Sequence, residues 1–464
     1  MDAQSTARSD SPKTLNPRPG FATSIGAIAA TLGSAVGLGN IWKFPYLTGE
    51  NGGATFILVY LLCLFIAGLP VMLSEFIIGR RSQANAVQSF KKLVPGTPWY
   101  LTGIAGVTSA VVIMFFYSCI AGWVYAYIFK SASGVLAAVD PAQTPAVFDA
   151  LTASPIAPLL WQWVVLAVVG TVIIAGVQKG IERVAKTALP ILFLLLIICD
   201  IRALTLPGAT AGINFLFRPD FSKITPAVFL AALGLAFFKM SVCMGVMTTY
   251  GSYMGPDDNL PASMLKVAFS DTLVSIMAGL AIFPAVFAFG YQPDAGPSLL
   301  FITIPMVFNS MPLGQLFLTL FFILTAIAAT GAMISLMEVP VAYLAEGNNW
   351  PRTKATLVSV LVVAAFGALA TFSSSILSHV LVWGRTFFDF FDFITSSVIM
   401  PVAGIAISIF AGWVLKSKVI VEEASNHGKL NNQTFLYALS FILKYITPIA
   451  ITIVLLSGLG VIKL

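Results

Sequence analysis

The chain has 464 residues, 58% hydrophobic and only 9% charged, with a mean hydropathy of +0.93. A soluble globular protein carries about a quarter charged residues. These figures exclude a cytosolic enzyme, a secreted domain, a disordered regulator and a nucleic-acid binder. The net charge of +6 reflects basic loops, not a binding patch. Cys63, Cys119, Cys199 and Cys243 each sit in an apolar run and read as small apolar residues. His379 and His427 form no metal cluster, and Gly428-Lys429 is followed by Leu430, which breaks the phosphate-loop pattern. No cofactor is expected.

Residues 1–20 are polar and contain Arg8, Lys13 and Arg18, which predicts a disordered cytoplasmic tail and not a signal peptide. A membrane-spanning helix needs about 20 mostly apolar residues. Eleven windows qualify, roughly 22–46, 54–78, 101–129, 159–177, 186–206, 225–253, 262–289, 315–344, 354–373, 386–415 and 434–460. The stretch 291–313 is apolar but interrupted by Pro293, Pro297, Pro305 and Pro312, and reads as an external loop lying on the protein. The expected fold is therefore an all-α polytopic membrane protein of eleven transmembrane helices. Lys and Arg gather in alternate loops: Arg80, Arg81, Lys91 and Lys92, then Lys179, Arg183 and Lys186, then Arg352 and Lys354, then Lys416, Lys418 and Lys429. That side is cytoplasmic, since basic loops stay inside. The N-terminus is then cytoplasmic and the C-terminus external.

Two spans read as broken. The first carries Gly33, Gly37, Gly39 and Asn40 at mid-membrane depth, and the sixth carries Ser241-Val242-Cys243-Met244-Gly245. Freed backbone groups at that depth are tolerated where they face protein, ions or a cavity. The two interruptions are five helices apart, which predicts an inverted five-helix repeat, about 21–206 and 225–415, forming a transporter core over 21–415. Residues 416–464 supply a loop and the eleventh helix. Half-helix N-termini suit an anion and exposed carbonyls a cation. A zwitterionic amino acid offers both charges.

The motifs Gly33 to Asn40, Trp42-Lys43-Phe44-Pro45-Tyr46, Glu50-Asn51-Gly52-Gly53, Glu75 with Gly79-Arg80, Tyr117 with Gly122-Trp123, Gly180 with Pro190, Thr249 to Tyr253 and Asp389 to Asp392 resemble those of the neurotransmitter:sodium symporters, in particular their bacterial amino-acid transporters. The resemblance runs from about Arg18 to the last span. It implies that Tyr117, with backbone around Ala35, Leu38 and Gly39, meets a substrate carboxylate. Phe238 and Ser241 would stand at the amine and roof, and Ile113, Met244, Ala332 and Leu336 would line the side-chain pocket. Gly37 stands where amine transporters of the family have aspartate, which favours amino acids over amines, and the uncharged pocket positions Ile113, Phe238, Met244, Ala332 and Leu336 favour a neutral one with an apolar or small side chain. Lys43 and Asp392 match an outer gate. Arg18, Tyr253 and Glu346 match an inner gate, near which Phe21 replaces a tryptophan.

The family's two sodium sites are altered here. At the first, made by the Ala35 region, Asn40 and residues of the sixth and seventh helices, the threonine position is Lys239 and the seventh-helix position Asp271. At the second, carbonyls match Gly33, Val36 and Ala328, but the two hydroxyl positions are Gly331 and Ala332, and Thr330 is turned about 100° away. An unpaired ammonium in a span costs several kcal/mol, so Lys239 needs a partner, and Asp271 is the candidate. The ammonium is expected to occupy the first ion site, held by Asp271 and the carbonyls that would otherwise bind sodium. Sodium dependence is accordingly doubted, and proton coupling through a buried lysine is left open. Asp200 is expected to pair locally, near Arg202. Ser275, one turn after Asp271, is by itself insufficient for chloride. The expected partners are an amino acid and the lipid bilayer of a bacterial inner membrane, with a homodimer left open. The leading expectation is a sodium-independent amino-acid transporter working by alternating access. The alternatives are ordinary sodium symport and a non-transporting sensor. No nucleophile–base constellation supports an enzyme.

Overall fold

Backbone N–H and C=O groups in hydrocarbon must pair within the chain, which leaves helices as the natural element for a sequence this apolar. The computed structural model describes residues 20–140, 143–292 and 299–462. The tail through residue 19, including Arg18, and the loop prolines Pro293 and Pro297 lie outside these. Regular structure among the described residues is helical, apart from an isolated bridge between Val382 and Arg385.

In chain order the long elements are α1 (Ser24–Ala35) and α2 (Gly39–Glu50), α3 (Ala54–Ser82), a short α4 (Ala86–Leu93), α5 (Tyr100–Ala132), a short α6 (Thr144–Thr152), α7 (Ala157–Ile174) and α8 (Val177–Leu204). Then follow the short α9 (Ala209–Phe217), α10 (Pro226–Lys239) and α11 (Val246–Gly251), α12 (Leu260–Ala288), a short α13 (Thr303–Asn309), α14 (Gly314–Gly347), α15 (Arg352–Phe372), α16 (Phe387–Ala424) and α17 (Gln433–Gly458). Nine helices among the described residues are long and apolar enough to cross a membrane, and the α1–α2 pair, bent by 48°, makes ten. Leu160, Ile197 and Phe366 are among many large apolar side chains left exposed, as a surface wetted by lipid requires.

Two boundaries differ from the hydropathy reading. Helix α8 begins at Val177, well before 186, because Lys179, Arg183 and Lys186 ride on its first turns. Basic side chains at a helix end reach polar surroundings without ending the helix. Helix α16 likewise runs past 415 to Ala424. Within the stretch 291–313, α13 buries Ile304, Val307 and Phe308 against the protein. The Glu50-Asn51-Gly52-Gly53 motif is the turn from α2 to α3. Gly53 has φ of 66°, and a Cβ there would lie 2.2 Å from the Phe215 carbonyl oxygen.

Both interruptions are held by side chains. Helix α1 ends where Val36 turns extended. Beyond it, Gly37 N–H donates to Asn40 Oδ1 at 3.1 Å and Leu38 N–H to the Tyr117 hydroxyl at 2.8 Å. Between α10 and α11, Ser241 and Cys243 have φ of 51° and 66°, and Gly245 has 70°. Left-handed backbone at non-glycine residues is unfavourable and persists only where surroundings fix it. Here the buried Glu75 of α3 accepts the Cys243 N–H at 3.0 Å and the Thr248 hydroxyl at 3.1 Å. The Ser241 hydroxyl donates to the Ser34 carbonyl at 3.0 Å and so ties one break to the other.

Glu75→Ala leaves the Cys243 N–H buried without its acceptor and loses a second hydrogen bond to a carboxylate. We expect a loss of roughly 2–4 kcal/mol, read as a lower midpoint in thermal unfolding of detergent-solubilised protein. An unchanged midpoint would remove Glu75 from the support of this segment.

Candidate substrate and ion site

The breaks meet over a small central cavity of ≈ 20 Å³. Ala35, Gly39, Ile113, Tyr117, Phe238, Ser241, Met244, Ala332 and Leu336 all line it, together with Ser34, Gly37 and Lys239. Leu38 does not line the cavity; its N–H bonds Tyr117. That bond uses the Tyr117 oxygen as acceptor and leaves its proton to donate. A Cβ at Gly37 would lie 2.7 Å from the Tyr117 hydroxyl and 2.8 Å from the Ala332 methyl, so no carboxylate side chain fits at this position as it stands. A cavity of this size has room for about one water. An amino acid therefore enters only if the walls part, and the flexible Met244 and half-buried Phe238 are the side chains best able to move.

Beside the cavity lies a sealed polar network. Lys239 Nζ stands 3.0 Å from Asp271 Oδ2, with both side chains fully buried. The ammonium also donates to the Tyr60 hydroxyl at 3.1 Å and lies 4.6 Å from the Phe44 ring centroid and 4.4 Å from that of Tyr60. Asn40 Nδ2 donates to Asp271 Oδ1 at 2.6 Å and to Ser275 Oγ at 3.0 Å. Lys239 and Asp271 thus pair as expected, but the supporting partners differ. Among the described residues no backbone carbonyl is a hydrogen-bond partner of the ammonium. Two aromatic faces and a phenol take that place, because the side chain leaves α10 toward α3 and α12. Asn40 Oδ1, expected to face an ion, instead accepts the Gly37 N–H.

The residues matched to the second ion site separate. Gly33, Val36, Ala328 and Gly331 line a different cavity of ≈ 300 Å³, whereas Ala332 lines the central one. Thr330 is indeed turned aside: its hydroxyl donates to the Ala326 carbonyl and bonds Tyr125 at 2.8 Å. A Cβ on Gly331 would sit 2.8 Å from the Gly33 oxygen, so the glycine lets α14 approach the break.

Charged side chains pair on both sides of the cavity. At one end, Lys43 Nζ lies 3.7 Å from Asp392 Oδ1 and 4.6 Å from the Phe238 ring centroid. At the other end, Arg18 lies outside the described residues. The Tyr253 hydroxyl donates to Glu338 at 2.7 Å, and Arg352 forms a two-pronged pair with that same carboxylate. Glu346 accepts from the Asn85 N–H at 2.9 Å and side chain at 3.0 Å. Phe21, at the position of the family's tryptophan, packs edge-on against Tyr250 and Tyr253. Glu182 accepts from Ala22 N–H, Thr23 and Lys186, which closes the start of α1 onto α8. Asp200, expected to pair near Arg202, is buried with Oδ1 lacking a hydrogen-bond partner, while Arg202 lies over Phe317. Tyr60 and Glu338 carry no site assignment from the sequence, and Arg352 reads there only as a basic loop residue. Glu338 was detectable as a lone carboxylate in an apolar window.

Long apolar helices, two side-chain-stabilised breaks and a central cavity where the breaks meet define a polytopic membrane transporter. The comparisons agree. The model of the sodium:neurotransmitter symporter family matches residues 18–149 and 151–463, and the chain belongs to this family. It is 41% identical over 443 residues to an uncharacterized sodium-dependent transporter of Bacillus subtilis, covering 96% of this chain and 98% of that one. It is 33% identical to one of Haemophilus influenzae, covering 93% and 96%. The crystal structure of MhsT in complex with L-phenylalanine superposes with a TM-score of 0.88 at 43% identity, over 95% of this chain and all of that one. These relatives are transporters, and the chain is not an enzyme.

Lys239→Met leaves Asp271 a buried, uncompensated charge. We expect it to cost about 3–5 kcal/mol of stability, and Lys239→Met with Asp271→Leu to recover most of that. Additive losses in chemical unfolding would show that the two do not act as a pair. Tyr117→Phe deprives the cavity of its hydroxyl donor and should weaken amino-acid binding by about 1–3 kcal/mol in a radioligand assay. Equal affinity in folded protein would remove Tyr117 from the site.

Proposed function

We propose that the chain carries a neutral amino acid with an apolar or small side chain across a bacterial cell membrane by alternating access, without sodium. On this reading there are eleven spans. Helices α10 and α11 together are the broken sixth, and the two five-helix halves are inverted repeats. The N-terminus is cytoplasmic, in keeping with the basic loops. The substrate carboxylate meets Tyr117 and the amides near Gly39, its amine lies by Ser241 and Phe238, and its side chain is among Ile113, Met244, Ala332 and Leu336. The absence of charge among those wall residues disfavours acidic or basic side chains. The phenylalanine held by MhsT is consistent with an apolar pocket.

The observation that carries sodium independence is the buried Lys239–Asp271 pair at 3.0 Å, with Asn40 turned onto Gly37 and Asp271. A fixed ammonium supplies positive charge beside the cavity, and a sodium ion added next to it would meet repulsion in a poorly screened interior. The second site offers Gly331 and Ala332 in place of hydroxyls. This departs from the sodium-dependent names of the relatives, which favour ordinary symport as the second reading.

Uptake of labelled neutral amino acids into proteoliposomes decides between them. Flux in potassium or choline buffer should nearly equal flux in sodium. Lys239→Thr with Asp271→Asn should lower sodium-free uptake and introduce a sodium response. A steep sodium dependence of the wild type would overturn the proposal, and saturable flux of any kind excludes a pure sensor. Runs at several pH values under an imposed proton gradient test proton coupling in the same vesicles.

A further inference from the structure

The ≈ 300 Å³ cavity beside the first break is at the lower end of small-ligand pockets in size. Its walls are almost wholly apolar, with Ala188 and Leu192 of α8 facing Ile327 and Gly331 of α14 and with Val36 at the break. The few hydroxyls present are already engaged. Tyr125 and Thr330 bond each other at 2.8 Å, and Ser335 accepts from Tyr250 and donates to the Gly331 carbonyl. An apolar space whose side-chain hydroxyls are already engaged favours apolar guests over water.

The surroundings identify the guest. Helices α7 and α8 are peripheral, with only 39% and 28% of their most apolar windows buried. They pack together mainly at the turn that joins them, on residues 177–182, and diverge beyond it. The cavity is walled by α8 together with α1, α5 and α14. It extends along α8 from Ile181 to Leu192, about 16 Å of helix. An elongated apolar space parallel to the helix axes, next to helices that face hydrocarbon, fits one flexible hydrocarbon chain better than a compact molecule.

We infer that this cavity binds one acyl chain of a bilayer phospholipid, entering between α7 and α8, and that the bound chain props α8 and α14 against the break at Gly33–Val36 and slows the opening of α1. This does not depend on how the Lys239–Asp271 pair is read. The site carries no charge, so the headgroup remains outside and the tail alone is recognised.

The test uses the full chain in proteoliposomes containing phosphatidylcholine with a mid-chain diazirine, and in parallel free palmitate bearing the same group. Mass spectrometry maps the photolabel. The phospholipid should label residues of 181–192 and 323–334. Ala188→Phe, which fills the space from α8, should reduce that labelling several-fold while leaving labelling of Leu194, Ile197 and Ile201 on the outer face unchanged. The same variant should make transport insensitive to phospholipid chain length where the wild type responds. Ile327→Phe fills the cavity from α14 and replaces Ala188→Phe if that variant does not fold. Labelling confined to the outer face, equal labelling of the filled variants, or labelling by free palmitate alone would overturn the assignment.

Discussion

A lysine and an aspartate, both without solvent exposure, face each other at 3.0 Å in the middle of this protein. Removing two charges from water is costly, and attraction between them offsets that cost only with good geometry and further partners. Each partner constrains another element. Tyr60 fixes α3, Asn40 fixes the start of α2, and Phe44 places a ring against the ammonium. The backbone of the first break is thus set by the need to satisfy an ion pair. The central cavity takes its shape from the same contacts, since Lys239 also forms part of its wall.

The second break is organised by one carboxylate. Glu75 reaches from α3 to an amide that no helix can satisfy, and strained backbone at Ser241 and Cys243 follows from where that acceptor stands. Such a segment is rigid while Glu75 holds it, yet has no helical ladder of its own. On the proposed reading, that combination makes the segment the hinge between α10 and α11, where a few residues absorb the change. The ion pairs at the two ends differ in character. Lys43–Asp392 is a long, partly exposed pair at 3.7 Å, which water weakens. At the other end, a fully buried Glu338 carboxylate is gripped by both prongs of Arg352.

The helical class, the positions of most spans and both breaks were legible in the sequence, because hydropathy and misplaced glycines are local signals. The pairing of Lys239 with Asp271 was legible too, since an intramembrane charge demands a partner. Its cage was not. Tyr60 and Phe44 read as ordinary apolar residues until the fold brings three helices together. Glu338 is inconspicuous for a related reason: it and Glu346 are two turns apart on α14, and only packing against Tyr253, Arg352 and Asn85 distinguishes them. The start of α8 was lost to its own lysines and arginine, which hydropathy counts as loop.

A cation borne on a side chain has an electrical consequence. A dissolved sodium ion crossing with its substrate moves a charge through the membrane field, worth about 2.3 kcal/mol per 100 mV. On the proposed reading, the Lys239 ammonium is covalently held and neutralised by Asp271, so the pair shuttles no charge from one face to the other. A zwitterion moving through such a protein is invisible to the membrane potential, and its accumulation would answer to concentration alone. A handful of substitutions, Lys239 and Asp271 at one site and Gly331 and Ala332 at the other, would then separate a voltage-powered pump from an electrically silent conduit built on the same frame.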